Sequence, residues 1–418
     1  MAKKTLAELY REHLSEVSAR ADRAMIAGGY DGLIMCSGSP VYYYLDDNTY
    51  PFRPNPRYRA WLPDGSPDCY VVYRPGERPK LMFTQPDDYW YLPPERPEGY
   101  WVEHFDVTIV RSPAELRPAI GKGRWAILGQ PGPATEGLGD HDPPAVTGPL
   151  DYARAVKTPY EIECMAVASA AGARAHRAAE QAFSAGASEY EIHLAYCRAA
   201  GAREEELPYN NIIGFDRHAA VLHYQVLDRH RPPGVKSFLI DAGAQYAGYA
   251  CDITRTYAAG TGEFLDLIRS LDAAQQRLAG RVRPGVDYRD IHLEAHRAVA
   301  GAAGLPDAQG EFLSVMRYRP GEQYRPHFDI VPPGPDLDRN GQRIKTALLY
   351  LNDGYEGGET EFLTTGLKVK GRPGDVLVFS NVLSGNRGDP ASRHAGLPVV
   401  SGEKWLASKW FRERNYDY

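Results

Sequence analysis

Cysteine is scarce in this sequence, with five residues among 418 and no Cys-x-x-Cys pair. The five stand far apart, at Cys36, Cys69, Cys164, Cys197 and Cys251. An odd, widely spaced set excludes both a disulfide framework and a thiolate zinc site. Free thiols are typical of a reducing compartment, so we expect a cytoplasmic protein.

Long apolar runs and an excess of basic residues are also absent. No apolar stretch approaches the roughly 18 residues of a membrane-spanning helix, and the N-terminal segment has an amphipathic pattern without the apolar core of a signal peptide. The formal net charge is −6, whereas a nucleic-acid-binding surface is basic. We therefore expect neither a membrane nor a nucleic-acid partner.

The sequence that is present predicts a multidomain α+β protein. Its 43% hydrophobic and 24% charged residues are ordinary for a globular chain. Over 1–155, short apolar runs separated by turn clusters predict an α/β domain. A helix start at Thr158-Pro-Tyr-Glu161 opens a mixed region over 156–304. Over 305–418, short β runs between Gly, Pro, Asp and Asn turns predict a sandwich or jelly roll.

A metal-binding pattern lies in this last region, at His327-Phe-Asp329. Residues two apart on a strand point to the same face, so the imidazole and the carboxylate are expected to lie side by side. With a distant second histidine, for which His394 is the candidate, they make the two-His-one-carboxylate triad of non-haem Fe(II) oxygenases. Such a triad leaves coordination positions open for a cosubstrate.

The surrounding segments carry a resemblance that covers about 306–412. They are Glu311-Phe-Leu-Ser-Val-Met-Arg-Tyr-Arg-Pro-Gly-Glu-Gln-Tyr-Arg-Pro-His-Phe-Asp329, Leu348-Leu-Tyr-Leu-Asn-Asp353, Gly357-Gly-Glu-Thr-Glu-Phe362, Gly374-Asp-Val-Leu-Val-Phe379 and the run from His394 through Lys404-Trp to Arg412. Together they resemble the prolyl 4-hydroxylase family of 2-oxoglutarate dioxygenases. The resemblance implies a double-stranded β-helix (jelly roll) over 305–418.

The same resemblance implies a set of site residues and cofactors. Fe(II) would be held by His327, Asp329 and His394, and Lys404 would bind the distal carboxylate of 2-oxoglutarate. Tyr318 would hydrogen-bond the same cosubstrate, and Tyr324 would lie near the reacting centre as a catalytic residue. Ascorbate would be a further cofactor, and the acceptor would be a peptidyl proline or a similar group on a peptide or protein.

The first three hundred residues carry a second resemblance. Ser237-Phe-Leu-Ile-Asp241, Ala250-Cys-Asp252-Ile-Thr-Arg-Thr-Tyr257, Glu206-Leu-Pro-Tyr-Asn-Asn-Ile and Val221-Leu-His-Tyr224 resemble the Xaa-Pro dipeptidase (prolidase) branch of the pita-bread metallopeptidases. This implies a creatinase-like α/β domain over 1–155 and a partial pita-bread α+β domain over 156–304. Asp241 and Asp252 would be two of five ligands to a pair of Mn or similar ions, and His223 would lie on the substrate side.

The three remaining ligand segments of that family do not follow in this sequence, because the hydroxylase-like pattern replaces them. We therefore interpret Asp241 and Asp252 as a vestigial divalent site and the chain as a chimera. The main expectation is an Fe(II)/2-oxoglutarate dioxygenase with peptidase activity unlikely. The alternatives are a Mn-dependent Xaa-Pro dipeptidase and an inactive chimera in which neither site assembles. A truncated sheet is also expected to expose a strand edge, which either the oxygenase-like block or the second subunit of a homodimer would cover.

Overall fold

The computed structural model describes residues 4–302, 309–384 and 387–416. Within them, no helix is both long and apolar enough to cross a bilayer. The chain forms two compact units. The first unit consists of Met1–Ala185, Glu191–Asn211 and Asp241–Thr254, and the second of Gly186–Tyr190, Ile212–Ile240 and Arg255–Tyr418. The predicted domain limits, 1–155, 156–304 and 305–418, stay predictions.

A six-stranded sheet forms the centre of the N-terminal part, in the order β4-β3-β2-β1-β5-β6. Its strands are β1 (Gly32–Cys36), β2 (Tyr70–Tyr73), β3 (Lys80–Thr84), β4 (Asp106–Val110), β5 (Trp125–Leu128) and β6 (Asp140–His141). β1 pairs antiparallel with β2 and parallel with β5, and every residue of β1 is buried. A strand covered on both faces reads as a continuous apolar run, which is why Gly32-Leu-Ile-Met-Cys36 shows no alternation.

Helices alternate with these strands along the chain, and further helices follow the last strand. They are α1 (Leu6–Gly28), α2 (Pro56–Arg59), α3 (Leu116–Ala119), α4 (Pro144–Ala153), α5 (Pro159–Ser184) and α6 (Glu189–Ala200). α5 begins where the sequence predicts it. Thr158 Oγ1 accepts from Glu161 N at 3.3 Å, and Glu161 Oε2 accepts from Thr158 N at 2.7 Å. This reciprocal cap satisfies two backbone donors that a helix start leaves unpaired.

The next part of the chain contains a three-stranded sheet in the order β11-β8-β7. Its elements are β7 (Ile212–Phe215), β8 (Ser237–Ala242), the hairpin β9 (Gln245–Tyr246) and β10 (Tyr249–Ala250), β11 (Ile253–Ala258), α7 (Glu263–Arg281) and α8 (Tyr288–Ala302). The segment Val221–Tyr224, whose apolar and aromatic residues favour a strand, does not form one. Val221 N and Tyr224 N donate to carbonyls three residues back, which makes a turn.

The C-terminal part consists of antiparallel sheets. Its elements are β12 (Ser314–Tyr318), β13 (Tyr324–His327), α9 (Pro335–Asn340), β14 (Arg343–Tyr350), β15 (Tyr355–Gly357), β16 (Thr360–Phe362), β17 (Leu367–Val369), β18 (Val376–Ser380), β19 (His394–Gly396), β20 (Val399–Gly402) and β21 (Lys404–Arg412). One four-stranded sheet has the order β12-β21-β14-β18, another β13-β19-β16-β17, and β15 pairs with β20. Closure of these sheets into a double-stranded β-helix stays a prediction.

A buried ionic network joins the start and the end of this C-terminal part. Arg343 Nε and Nη2 donate to the two Glu311 carboxylate oxygens, each at 2.7 Å. Arg412, which is 2% exposed, donates to the same carboxylate and to Asp336 at 2.7 Å. Glu311 and Asp336 together therefore balance the charges of two guanidinium groups that are largely removed from water.

Replacing Glu311 by glutamine is expected to lower the free energy of unfolding by roughly 3–5 kcal/mol, because it leaves buried charge uncompensated. Denaturant unfolding followed by tryptophan fluorescence measures this loss. Glu403, which faces Arg319 at 3.9 Å on the surface, is the matched control. Glu403→Gln should cost no more than about 1 kcal/mol, and equal losses in the two variants would refute the network's role.

Candidate metal centres

Asp241 and Asp252 stand close together at the ends of neighbouring strands in the first unit. Asp241 belongs to β8, and Asp252 precedes β11 by one residue. The hairpin of β9 and β10 connects the two strands. Tyr209 Oη lies 2.8 Å from Asp241 Oδ1 and 2.9 Å from Asp252 Oδ1. The two carboxylates thus converge on one point, which the phenol hydroxyl occupies.

The Tyr209 hydroxyl cannot satisfy both carboxylates, because it carries a single proton and donates to one of them at a time. The other is left facing a like charge, which is unfavourable. Burial and the two neighbouring carboxylates raise the pKa of Tyr209 well above its ordinary value. A divalent cation at this point would be attracted by both aspartates, so the donor set fits such an ion.

The aspartate pair does not fit the two-ion, five-ligand site that the prolidase resemblance implies. Among the described residues, no group of three or more His, Cys, Asp or Glu side chains with converging ligand atoms includes either aspartate. Two carboxylates suit a single ion that keeps several waters, as Mg²⁺ sites do.

His223 lies exposed in a turn of the second unit. The loop that carries it is anchored by Glu189, which is 1% exposed. Four donors surround the Glu189 carboxylate: Phe215 N and His218 Nδ1 at 2.8 Å, and Tyr224 Oη and Asp228 N at 2.9 Å. Sequence reasoning missed this role, since Glu189 belongs to no motif in the sequence. The substrate role of His223 stays a prediction.

His327, Asp329 and His394 converge in the second unit. β13 and β19 pair with His327 directly opposite His394, and the two imidazole centroids lie 4.4 Å apart. Asp329 Oδ1 is 3.3 Å from His327 Nε2, and Asp329 Oδ2 is 3.7 Å from His394 Nε2. One ligand atom from each residue lies within 4.8 Å of the others. Three potential ligands thus face one point.

The imidazoles are held in the tautomer that metal binding needs. Each Nδ1 lies against a carbonyl oxygen, Arg325 O at 2.8 Å for His327 and Ser392 O at 2.9 Å for His394. A carbonyl only accepts, so Nδ1 carries a proton in either charge state, and the neutral imidazole, which is the form that binds a metal, has its lone pair on Nε2. Because this is backbone geometry, it could not be read from the residues alone.

Asp329 is likewise held by a buried partner. Thr346 Oγ1 donates to Asp329 Oδ2 at 2.7 Å and accepts from Asn381 Nδ2 at 2.8 Å. Burial acts most strongly on Asp329 and would raise its pKa. Hydrogen bonds from His327 and Thr346 and the charge of His394 outweigh it, so the pKa is lowered and the carboxylate stays ionised. Sequence reasoning missed Thr346, which carries no motif signal.

Lys404, Tyr318 and Tyr324 line the same cavity as the three ligands. Tyr318 and Lys404 are paired across β12 and β21, and Lys404 Nζ donates to Gly358 O at 2.7 Å. Burial lowers the pKa of Lys404 to about 8. Burial also raises the pKa of Tyr318 to about 12. Tyr324 is half exposed, with its ring 4.3 Å from that of His327.

Comparison with known families divides the chain into three matching stretches. Residues 8–152 match the Xaa-Pro dipeptidase N-terminal domain, and residues 163–333 match metallopeptidase family M24. Residues 313–412 match the 2OG-Fe(II) oxygenase superfamily, which overlaps the end of the M24 match. The resemblances in both parts of the sequence therefore have family matches, whereas the joining of two families in one functional chimera has no support beyond them.

Two proteins that are similar to this chain in sequence are named Xaa-Pro dipeptidases. That of Xanthomonas campestris pv. campestris (strain B100) is 48% identical over 305 residues, covering 72% of this chain and 69% of the relative. That of Stenotrophomonas maltophilia (strain K279a) is 48% identical over 298 residues, covering 70% and 67%.

Solved structures support the fold. Pseudomonas aeruginosa aminopeptidase PepP has a TM-score of 0.54 at 21% identity, covering 69% of this chain and 72% of its own. Zinc-substituted Escherichia coli aminopeptidase P, in complex with product, has a TM-score of 0.51 at 17% identity, covering 70% and 73%. The chain thus has an aminopeptidase P-like fold, with a creatinase-like N-terminal domain followed by pita-bread α+β structure.

The expectation that this chain is primarily an Fe(II)/2-oxoglutarate dioxygenase, an oxidoreductase without peptidase activity, is wrong. That expectation depends mainly on three potential ligands, His327, Asp329 and His394, within a stretch of about a hundred residues. The likeness to Xaa-Pro dipeptidases extends over 305 residues at 48% identity. The use of Fe(II), 2-oxoglutarate and ascorbate as principal cofactors has no support from these likenesses. A metallopeptidase family match favours divalent metals instead.

A motif of three side chains is a small part of a fold, whereas sequence identity through two successive domains reflects their whole packing. With 69% of the relative covered at 48% identity, the assignment rests on the larger part of both proteins. This chain belongs to the Xaa-Pro dipeptidase family.

Proposed function

We propose that this protein is a divalent-metal-dependent hydrolase of Xaa-Pro dipeptides, with Mn²⁺ as its ion. The observation that carries the proposal is the convergence of Asp241 and Asp252 on Tyr209 Oη, at 2.8 and 2.9 Å. It lies within a chain that is 48% identical to proteins named Xaa-Pro dipeptidases.

Asp241 and Asp252 would hold the ion, and water and substrate would complete its shell. When bound there, a divalent ion supplies Lewis acidity toward a peptide carbonyl and lowers the pKa of a coordinated water. Asp252 is exposed, so the carboxylate pair is open to substrate. Tyr209 Oη stays protonated at neutral pH, because burial and the two carboxylates raise its pKa. It can therefore donate a hydrogen bond to an anionic group in this place.

The proposal is tested by proline release from an Xaa-Pro dipeptide with Mn²⁺ present. We expect proline release that stops on addition of EDTA and returns when Mn²⁺ is added. A dipeptide without proline should not be cleaved. Absence of release at every Mn²⁺ concentration would refute the proposal.

We further propose that His327, Asp329 and His394 form a separate mononuclear centre. The donor set, two imidazoles and one carboxylate, is the one that suits Fe(II). Support comes from the 4.8 Å limit on the separation of the three ligand atoms and from the fixed Nδ1 protons. Because ligands come from the sheet containing β13 and β19, and Lys404 from the sheet containing β21, this proposal includes a jelly-roll arrangement over 305–418.

Lys404 and Tyr318 would bind the acidic end of a carboxylate ligand at this centre, with 2-oxoglutarate as the candidate. An ammonium is a compact charge suited to a carboxylate. The cavity measures about 30 Å³, room for an ion and a water, so a five-carbon ligand requires displacement of a lining side chain. Tyr324, which is 44% exposed, is the side chain best placed to move.

The affinity for 2-oxoglutarate is expected to fall as the pH rises through about 8, because the Lys404 ammonium then loses its proton. Calorimetric titrations from about pH 6.5 to about pH 9.5 measure the dependence. Lys404→Met should weaken binding and remove this pH dependence, while the exposed Lys368→Met should leave both unchanged. Affinity that is constant with pH in the unaltered protein would contradict the assignment.

A further inference from the structure

A cavity of about 440 Å³ lies in the first unit, lined by residues of 52–65, 154, 205–208 and the hairpin 245–250. Its volume falls in the range of small-molecule sites, about 300–1,000 Å³. Arg53, Arg59 and Arg154 line it together with one carboxylate, Glu205. Glu205 already pairs with Arg203 at 3.0 Å. The lining therefore carries an excess of positive charge.

Two of these arginines, Arg59 and Arg154, are partly buried, and the structure shows no carboxylate partner for either among the described residues. The Nε atoms of Arg59 and Arg154 are buried without a hydrogen-bond partner, and neither side chain has a carboxylate within 4.0 Å among the described residues. Burial lowers the pKa of Arg59, and the charge of Asp64 only partly opposes this effect. A partly buried charge without a counter-ion is less stable than a paired one, so an anion would stabilise these groups.

The chain also makes room for the Arg59 guanidinium. A Cβ at Gly65 would lie 2.6 Å from Arg59 Nη1, and a Cβ at Gly248 would collide with Arg59 Nε. Gly248 has φ +86°, a conformation that other residues rarely adopt. Two backbone segments thus pass close to the guanidinium and fix its place at the cavity wall.

We propose that this cavity binds a small oxyanion-bearing molecule, whose carboxylate or phosphate group is held by Arg59 and Arg154. The site shares no residue with the aspartate pair or with the His327–Asp329–His394 centre, and the proposal is independent of both. The planar, permanently charged guanidinium matches carboxylate and phosphate oxygens in a two-bond geometry. Arg53 contributes charge at the exposed side, where its Nη1 donates to Pro208 O.

The test uses the 418-residue protein in EDTA, so that no metal centre retains an anion. Inorganic phosphate and succinate are titrated separately by calorimetry and by thermal unfolding, which distinguishes the two anion sources. Arg59→Met and Arg154→Met remove one guanidinium each, and the exposed Arg96→Met is the matched control. Melting of each variant without ligand reports its fold.

We expect at least one probe to bind the unaltered protein and Arg96→Met and to raise their melting temperatures. Arg59→Met and Arg154→Met should each weaken that binding by about tenfold or more, because a charge-assisted bond is lost. Without ligand, Arg59→Met should melt no earlier than the unaltered protein, since it removes a partly buried charge that has no carboxylate partner among the described residues. If Arg59→Met fails to fold, Arg154→Met decides. Binding of neither probe, or equal affinity in all four proteins, would overturn the proposal.

Discussion

Replacing Asp252 by asparagine is expected to abolish Mn²⁺-dependent hydrolysis of an Xaa-Pro dipeptide. The change keeps the size of an exposed side chain but removes one of the two charges that converge on Tyr209 Oη. Loss of a metal-stabilised transition state is worth several kcal/mol, so the rate should fall on the order of 10³-fold or more. Steady-state proline release at saturating Mn²⁺ measures this effect.

Asp87→Asn is the control for this variant, because Asp87 is an exposed aspartate of the same unit that pairs with Arg111 at 3.3 Å on the surface. It should retain full activity. Tyr209→Phe removes the bridging hydroxyl but neither ligand, so it should retain metal dependence. Undiminished hydrolysis by Asp252→Asn would remove the aspartate pair from the mechanism.

Replacing His394 by alanine is expected to eliminate the mononuclear centre in the C-terminal part. His394 supplies one of three ligands, and its Nε2 lies 3.7 Å from Asp329 Oδ2. Changes to groups that only orient ligands already cost about 10–100-fold in metal affinity, so loss of a ligand should cost more than about 100-fold. Fe(II) titration under anaerobic conditions, read by bound metal per chain, measures the loss.

Two further variants are compared with His394→Ala, one as a control and one as a milder change. His230→Ala alters an exposed histidine of the same unit and should leave Fe(II) affinity unchanged. Thr346→Val removes the hydroxyl that donates to Asp329 at 2.7 Å and should weaken affinity by about 10–100-fold. Equal Fe(II) affinity in His394→Ala and the unaltered protein would show that the three side chains hold no ion.

Much of the fold could be predicted from local sequence chemistry. The capping box at Thr158 and Glu161 determines where α5 begins, and the apolar run Gly32–Cys36 reads directly as a strand buried on both faces. At Val221–Tyr224, two apolar residues and a tyrosine favour a strand, but the structure has a turn. Their backbone groups bond locally, and Val221 and Leu222 remain exposed.

The candidate sites were predictable only in part, for a physical reason. The spacing of His327 and Asp329 places them on one face, but their orientation depends on carbonyls of Arg325 and Ser392 that no motif records. Tyr209 and Thr346 act through contacts 32 and 17 residues away along the chain. Such contacts arise from tertiary packing, which a single sequence does not specify.

The prediction of dioxygenase activity is the larger error. The ligand motif of His327, Asp329 and His394 is conspicuous in the sequence, whereas the likeness to Xaa-Pro dipeptidases is spread over two domains. The prediction that the aspartates were vestigial followed from counting absent ligand segments. The structure brings the two carboxylates together around one hydroxyl, a geometry suited to a single hydrated ion, and the vestigial interpretation stays a prediction.

The most direct measurement is Mn²⁺-dependent proline release by Asp252→Asn and His394→Ala, assayed side by side on one Xaa-Pro dipeptide. The two variants each disable one candidate centre and leave the other intact. We predict that Asp252→Asn is inactive and that His394→Ala hydrolyses the dipeptide at the rate of the unaltered protein. Hydrolysis that survives in Asp252→Asn and is lost in His394→Ala would contradict the account.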